Sequence, residues 1–288
     1  MRKQGFAPLR MNRMHKLTDG CESERDHVMI VADIEGSSGC WSYRASSFLT
    51  PEWYRACLEM SRDIGAVTKA LFQSGVKSVT IKDFHRTGYN LMSECIDPRA
   101  KILYGYRKGP VPGIGDGGPG GLVMFIGMHA ASGSCGFLAH TLTSRIARLE
   151  VNGEIMPEVL LFSASLAPAG VRPVFFSGCP VACRQARQAI PHIDSFSIMK
   201  TPGDEKTFDR EGWRNRLAQE AVNSLYNRST VIPAPAGPFH VAVTMRDGEK
   251  AASRIARRWK LSHRADTIIF DAWSFDEMYY TLIRMCYL

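Results

Sequence analysis

Three textures of hydrophobic patterning alternate along the first two hundred residues. Short, solidly apolar runs at 28–33, 122–127 and 173–177 have the composition of strands covered on both faces, as in a parallel sheet. Between the first two, Cys57, Met60, Ile64, Val67 and Leu71 keep helical spacing. That stripe opens at Thr50-Pro51-Glu52, an N-cap followed by Pro at the first helical position and an acid in the first turn, and it stops at Gly75. The β-branched run at 76–81 completes a strand, helix, strand unit whose strands should be parallel. Helical patterns are expected around 136–149 and 158–169. The third texture is Gly/Pro-rich: residues 108–121, KGPVPGIGDGGPGG, can only be a loop.

Beyond about residue 200 the pattern changes. A helix near 209–226 is followed by the proline-rich VIPAPAGPF, an alternating strand at 239–245, a helix at 249–261 and a strand near 267–271. Ser274 and Glu277, with capping-box spacing, open a last helix. The expected fold class is α/β, a mainly parallel sheet with helices on both faces plus a smaller C-terminal α/β subdomain. The expected division is 1–26 as an N-terminal extension, open to disorder, 27–200 as the metal-binding catalytic region, and 201–288 as the subdomain packed on it.

Composition changes this picture little. The 288 residues are 45% hydrophobic and 22% charged, as in ordinary globular chains. The net charge of +8 is scattered, without the basic-aromatic stripe of a nucleic-acid binder. No apolar stretch reaches the roughly 18 residues that span a bilayer, so no membrane partner is expected. The first 26 residues lack the apolar core of a secretory signal. Eight scattered cysteines without a CxxC pair are expected as free thiols, in the cytoplasm. Gly113, Gly115 and Gly118 spell a dinucleotide fingerprint, but they precede a strand instead of opening a helix.

Chemistry concentrates where the apolar runs end. In an open parallel sheet, ligands bind beyond the carboxyl ends of the strands. The run at 28–33 ends in Asp33 with Glu35 two residues on, the run at 76–81 leads to Asp83-Phe84-His85, and the run at 122–127 to Met128-His129. Asp33 and Glu35, two positions apart in an extended chain, lean toward one spot. An isolated D-x-E-G is also an ordinary loop start. Three strand ends that deliver carboxylates and imidazoles to one sheet edge supply instead the donor set of zinc and its first-row neighbours. His15, His27, His192, His240 and His263 have no partner spacing of this kind.

In order, the segments VADIEG, KDFHRTGYNL, IGMHAASGSCGFLAHT and VNGEIMPE make the chain resemble the zinc-dependent D-aminopeptidase family (DppA-type metallopeptidases) over about residues 27–288. The resemblance implies a two-zinc site with Asp33, Glu35, His85, His129 and Glu158 as ligands, Asp33 bridging, and His140 as the catalytic histidine. Glu154 competes with Glu158 for the last ligand position. It further implies hydrolysis of short peptides with an N-terminal D-residue by metal-activated water, and a ring-like homo-oligomer, a decamer in the family pattern.

The chain departs from the family at Cys179 and Pro180, which stand where acids end the fourth strand, and at Pro157, where a small residue precedes the glutamate. These departures bear on the substrate more than on the metal. They keep open a metal-dependent amidase acting on a non-peptide amide. A metal-stabilised assembly protein without catalysis is the third alternative. An open ligand set with His140 beside it speaks against that one, since structural zinc sites are closed by four ligands.

Overall fold

The computed structural model describes residues 24–105 and 121–287. The apolar runs at 28–33 and 122–127 become β1 (His27–Ala32) and β4 (Leu122–Met128). The run at 76–81 forms β2 (Ser78–Asp83), two residues later than the sequence predicts. With β3 (Lys101–Leu103), β7 (Arg172–Gly178) and β8 (Asp194–Ser197) they build a six-stranded sheet in the order β3-β2-β1-β4-β7-β8. Every pairing in it is parallel. The strand carrying Asp33 is therefore flanked by the strands that lead to His85 and His129.

Both faces of this sheet are covered. On one side α1 (Pro51–Gln73) and α4 (Arg210–Ser224) enclose Val28, Ile30 and Ala32 of β1 with Met60, Ile64 and Leu217. The intervening Met29 and Val31 face the opposite way, into a core with Phe162 of α2 (Glu158–Leu166) and Ala182 of α3 (Pro180–Ala189). Alternation along one buried strand thus feeds two cores. The expected caps form: Thr50 Oγ1 accepts from Trp53 N at 3.0 Å, and Gly75 follows the C-cap with φ of 98°, a conformation that glycine adopts without a Cβ penalty.

A second sheet, in the order β10-β11-β9-β5-β6, is antiparallel throughout. Its members are β5 (Ile146–Val151), β6 (Glu154–Ile155), β9 (Phe239–Met245), β10 (Ser262–Arg264) and β11 (Thr267–Ala272). It shares a core with α5 (Glu249–Trp259) and α6 (Phe275–Tyr287). The line at residue 200 does not separate the sheets, because β5 and β6 precede it while α4, which follows it, packs on the first sheet.

The helix expected at 136–149 is absent. Residues 129–145 form a tied loop and β5 follows, burying Ile146, Leu149 and Val151 and exposing Arg148. The helical spacing of Phe137, Leu138 and Leu142 is overridden by long-range partners: His140 N donates to Ala130 O at 3.0 Å, and β5 pairs with β9. At α6, Glu277 N donates to Ser274 Oγ at 3.2 Å, but the Glu277 carboxylate caps Trp273 N rather than Ser274 N. The Gly113-Gly115-Gly118 fingerprint and most of the N-terminal extension lie outside the described residues. Among those described, no helix is long and apolar enough to cross a membrane.

Candidate metal centre

The site begins with a crossing of backbone. Beyond β1 the chain passes over the end of β4, with Asp33 N donating to Ile126 O at 2.9 Å and Gly36 N to Gly127 O at 2.7 Å. This close approach requires Gly127, at φ 79°, where a Cβ would run into the Asp33 carbonyl. The β4–β7 register is irregular at this point, and Ser177 Oγ accepts the Gly127 N–H at 3.0 Å. The bulge brings the β1 loop against the segment that leads to His129.

Asp33 then stands between two imidazoles. Its Oδ1 lies 3.2 Å from His85 Nδ1 and its Oδ2 3.4 Å from His129 Nε2. Glu35 Oε2 is 3.2 Å from the same His85 nitrogen, and Glu158 Oε2 is 3.4 Å from the same His129 nitrogen. All five side chains are buried. The other nitrogen of each ring is pinned: His85 Nε2 donates to Ser46 O at 2.9 Å, and His129 Nδ1 to Ala130 O at 3.0 Å. Each histidine therefore turns an unpinned nitrogen toward carboxylates, the orientation that carbonyl partners impose on metal-binding imidazoles.

His140 joins the group from the tied loop. Its ring stacks on His129 with centroids 3.6 Å apart, and its Nδ1 donates to Leu138 O at 2.9 Å. Donor atoms of His129, His140 and Glu158 lie within 4.8 Å of one another, as do those of Asp33, Glu35 and His129. Glu154, the competitor for the last position, lies exposed on β6, whereas Glu158 is buried at the start of α2 with Oε1 accepting from Leu142 N at 2.6 Å.

Three buried acids packed together have to be balanced by positive charge. Burial and the neighbouring Glu35 push Asp33 up to about 7. Burial would raise Glu35 and Glu158 too, but His85 and His129 respectively hold them below the usual carboxylate range. Conversely, burial works against a charged His85, yet Glu35 and Asp33 carry it up to about 10; Glu158 likewise carries His129 well above its ordinary value. His140, with burial and the His129 charge acting in the same direction, falls to about 4. Glu35 Oε2 and Glu158 Oε2 are buried without a hydrogen-bond partner, which is costly unless a cation takes them up. Orphaned oxygens, facing nitrogens and mixed N/O chemistry all fit a transition metal.

Several supports were not legible in the sequence. Asp83, adjacent to the predicted ligands, is no part of the cluster: it accepts from Asn90 N, Asn90 Nδ2 and Leu91 N, and Asn90 Nδ2 also donates to His85 O at 2.6 Å. Asp63 on α1 accepts from Ser38 N at 2.7 Å and from Arg214 Nε at 2.9 Å, anchoring the loop beyond Glu35 to α4. Lys200 Nζ donates to the carbonyls of Ser37 and Cys40. The Asp63 and Lys200 contacts span 25 to 163 residues and leave no local signal. Cys179 is buried against Gly136, in the loop that carries His140, so its departure from the family pattern touches that loop.

The cluster forms part of the wall of a cavity of about 780 Å³, which also meets Arg86, Arg145 and Arg246. A family model described as Peptidase M55, D-aminopeptidase, matches residues 27–283. A D-aminopeptidase of Bacillus subtilis (strain 168) is 25% identical over 171 residues, 59% of this chain and 62% of that protein. The match thus spans less than two thirds of that relative's length. Among solved structures, the Zn-dependent D-aminopeptidase DppA from Bacillus subtilis, described as a self-compartmentalizing protease, has a TM-score of 0.81 at 19% identity, covering 90% of this chain and 96% of that one. At that identity the likeness is one of fold.

Proposed function

For a chain that belongs to the D-aminopeptidase family of peptidases, we propose a metal-dependent aminopeptidase that hydrolyses short peptides with an N-terminal D-residue, with two zinc ions per chain. The observation that carries this reading is the placement of Asp33, whose two oxygens face His85 and His129 separately. That is the disposition of a bridging carboxylate. Glu35 and His85 would complete one metal position, and His129 and Glu158 the other. Bound there, zinc supplies Lewis acidity toward a carbonyl and lowers the pKa of water toward neutrality.

The chain's own residues supply the rest. The bond from His140 Nδ1 to Leu138 O leaves Nε2 of the neutral ring without its proton, so His140 serves as a proton acceptor. It takes a proton from the attacking water and returns it to the leaving amine. Oxyanion stabilisation by the neutral ring would require a proton on Nε2 instead. Burial keeps the ring neutral near pH 7. The cavity volume suits a peptide of a few residues.

The self-compartmentalizing relative supports a homo-oligomer of this chain, and the family resemblance implies that it is ring-like. The seven free cysteines among the described residues are in keeping with a reducing compartment such as the cytoplasm.

The test is metal-stripped protein reloaded with zinc, cobalt or manganese, analysed for metal content and assayed on paired D- and L-aminoacyl peptides and on non-peptide amides. Two ions per chain and faster turnover of the D-peptides are expected. Hydrolysis confined to non-peptide amides would replace this reading with the amidase one, and full activity without metal would remove both.

A further inference from the structure

The cavity that meets the metal-binding donors is also lined by two arginines that the proposed chemistry does not use. Arg145 immediately precedes β5 and Arg246 immediately follows β9, and Arg246 N donates to Arg145 O at 2.7 Å, which makes them neighbours across the end of the ladder. Each guanidinium is held by its Nε alone. Arg145 Nε donates to Asp247 Oδ2 at 2.6 Å, and Arg246 Nε to Ser144 O at 3.0 Å. The terminal nitrogens of both have no other partner among the described residues. Both arginines line the same cavity as His129, His140 and Glu158.

A guanidinium fixed at Nε presents a planar pair of N–H donors, the geometry that matches a carboxylate. Two such groups face one acid, Asp247, so this end of the cavity keeps an excess of positive charge. An aminopeptidase substrate bound with its N-terminus at the metal cluster points its other end away, and in a peptide of two or three residues that end is a free carboxylate.

We infer that Arg145 and Arg246 bind the C-terminal carboxylate of the substrate, so that the enzyme selects short peptides with a free C-terminus over blocked ones. This rests on the aminopeptidase reading above. The pair acts on binding and on substrate length and makes no contact with the scissile bond.

The experiment compares a D-alanyl dipeptide with its C-terminal amide on the zinc-loaded wild type and on Arg246→Gln and Arg246→Lys. A parallel arm uses calorimetry with a reduced-bond, non-cleavable dipeptide in its acid and amide forms. The wild type should favour the acid about tenfold in kcat/KM, the scale of one partly exposed charge-assisted contact. The preference should lie mainly in KM and weaken with salt. Arg246→Gln should lower the acid-to-amide ratio severalfold, the remainder being carried by Arg145, with Arg246→Lys in between and metal content unchanged. A wild type indifferent to the C-terminus, or a ratio unchanged in Arg246→Gln, overturns the inference while leaving the aminopeptidase reading in place. If neither peptide is cleaved, the aminopeptidase reading falls, and calorimetry decides the carboxylate site by itself: tighter binding of the acid analogue, weakened in Arg246→Gln, supports it, and equal binding of the two analogues overturns it.

Discussion

The imidazole of His140 lies on that of His129 with centroids 3.6 Å apart and planes 15° from parallel. One of these rings faces two carboxylates, and the other is tied to a carbonyl with its second nitrogen left over. Stacking fixes the spacing between the proposed metal donor and the proposed proton acceptor, and the two assignments predict different consequences for losing each.

His129→Ala removes a donor shared by Asp33 and Glu158 and should lose metal outright. His140→Ala should keep its metal and lower kcat about 100-fold or more, with little change in KM, the signature of a proton-transfer group acting on the transition state. Elemental analysis beside steady-state kinetics on the two variants separates the roles. Loss of metal from His140→Ala to the same extent would make it a ligand, which the proximity of its donor atom to those of His129 and Glu158 allows geometrically.

Metal binding should depend steeply on pH. In the metal-free protein His85 holds its proton up to about 10 and Asp33 up to about 7, and His129 is raised as well. These protons must leave as metal enters, so affinity rises with pH across the neutral range, by about tenfold per pH unit for each proton displaced. Competition with a chelator at pH 6, 7 and 8, corrected for the chelator's own protonation, gives the slope. Calorimetry in two buffers of different ionisation enthalpy counts the protons released. A flat profile would mean that the cluster is already deprotonated.

Gly127→Ala should be far more damaging than its size suggests. At φ 79° the new Cβ meets the Asp33 carbonyl, so the strand crossing that positions Asp33 has to open. A loss of at least about 2 kcal/mol is expected, together with weaker metal binding. Gly153→Ala is the control: its φ is 83° with nothing near the added carbon, so it should cost about 1 kcal/mol and leave the metal in place. Thermal unfolding and metal content of both variants decide.

Arg214→Met leaves the buried Asp63 carboxylate without its guanidinium. Removing one partner of such a pair costs about 3 kcal/mol, and here the loop beyond Glu35 loses part of its anchor to α4. Urea unfolding should show the loss of stability. Retained stability would mean that the two Ser38 bonds to Asp63 suffice.

The sequence by itself determined the parallel strands, because β1, β4 and β7 are apolar on both faces and no other element accepts such a run. It determined the capped helix α1 from Thr50, Pro51 and Gly75, and it singled out Asp33, Glu35, His85 and His129 because residues just beyond adjacent strand ends carry a local signature; Glu158 and His140, at a helix start and in a loop, were named only by the family resemblance. Tertiary structure alone decided the course of residues 136–149, where a helical stripe yields to a loop tied to Ala130 and Glu158 and to pairing with β9 nearly a hundred residues away. It also decided that the strands after residue 200 share a sheet with β5 and β6. It brought Arg214 to Asp63, Lys200 to the Ser37 and Cys40 carbonyls, and Arg246 beside Arg145. Those partners have no spacing to betray them, since a hydrogen bond between distant segments depends on where the chain returns, and that is set by the packing of whole elements.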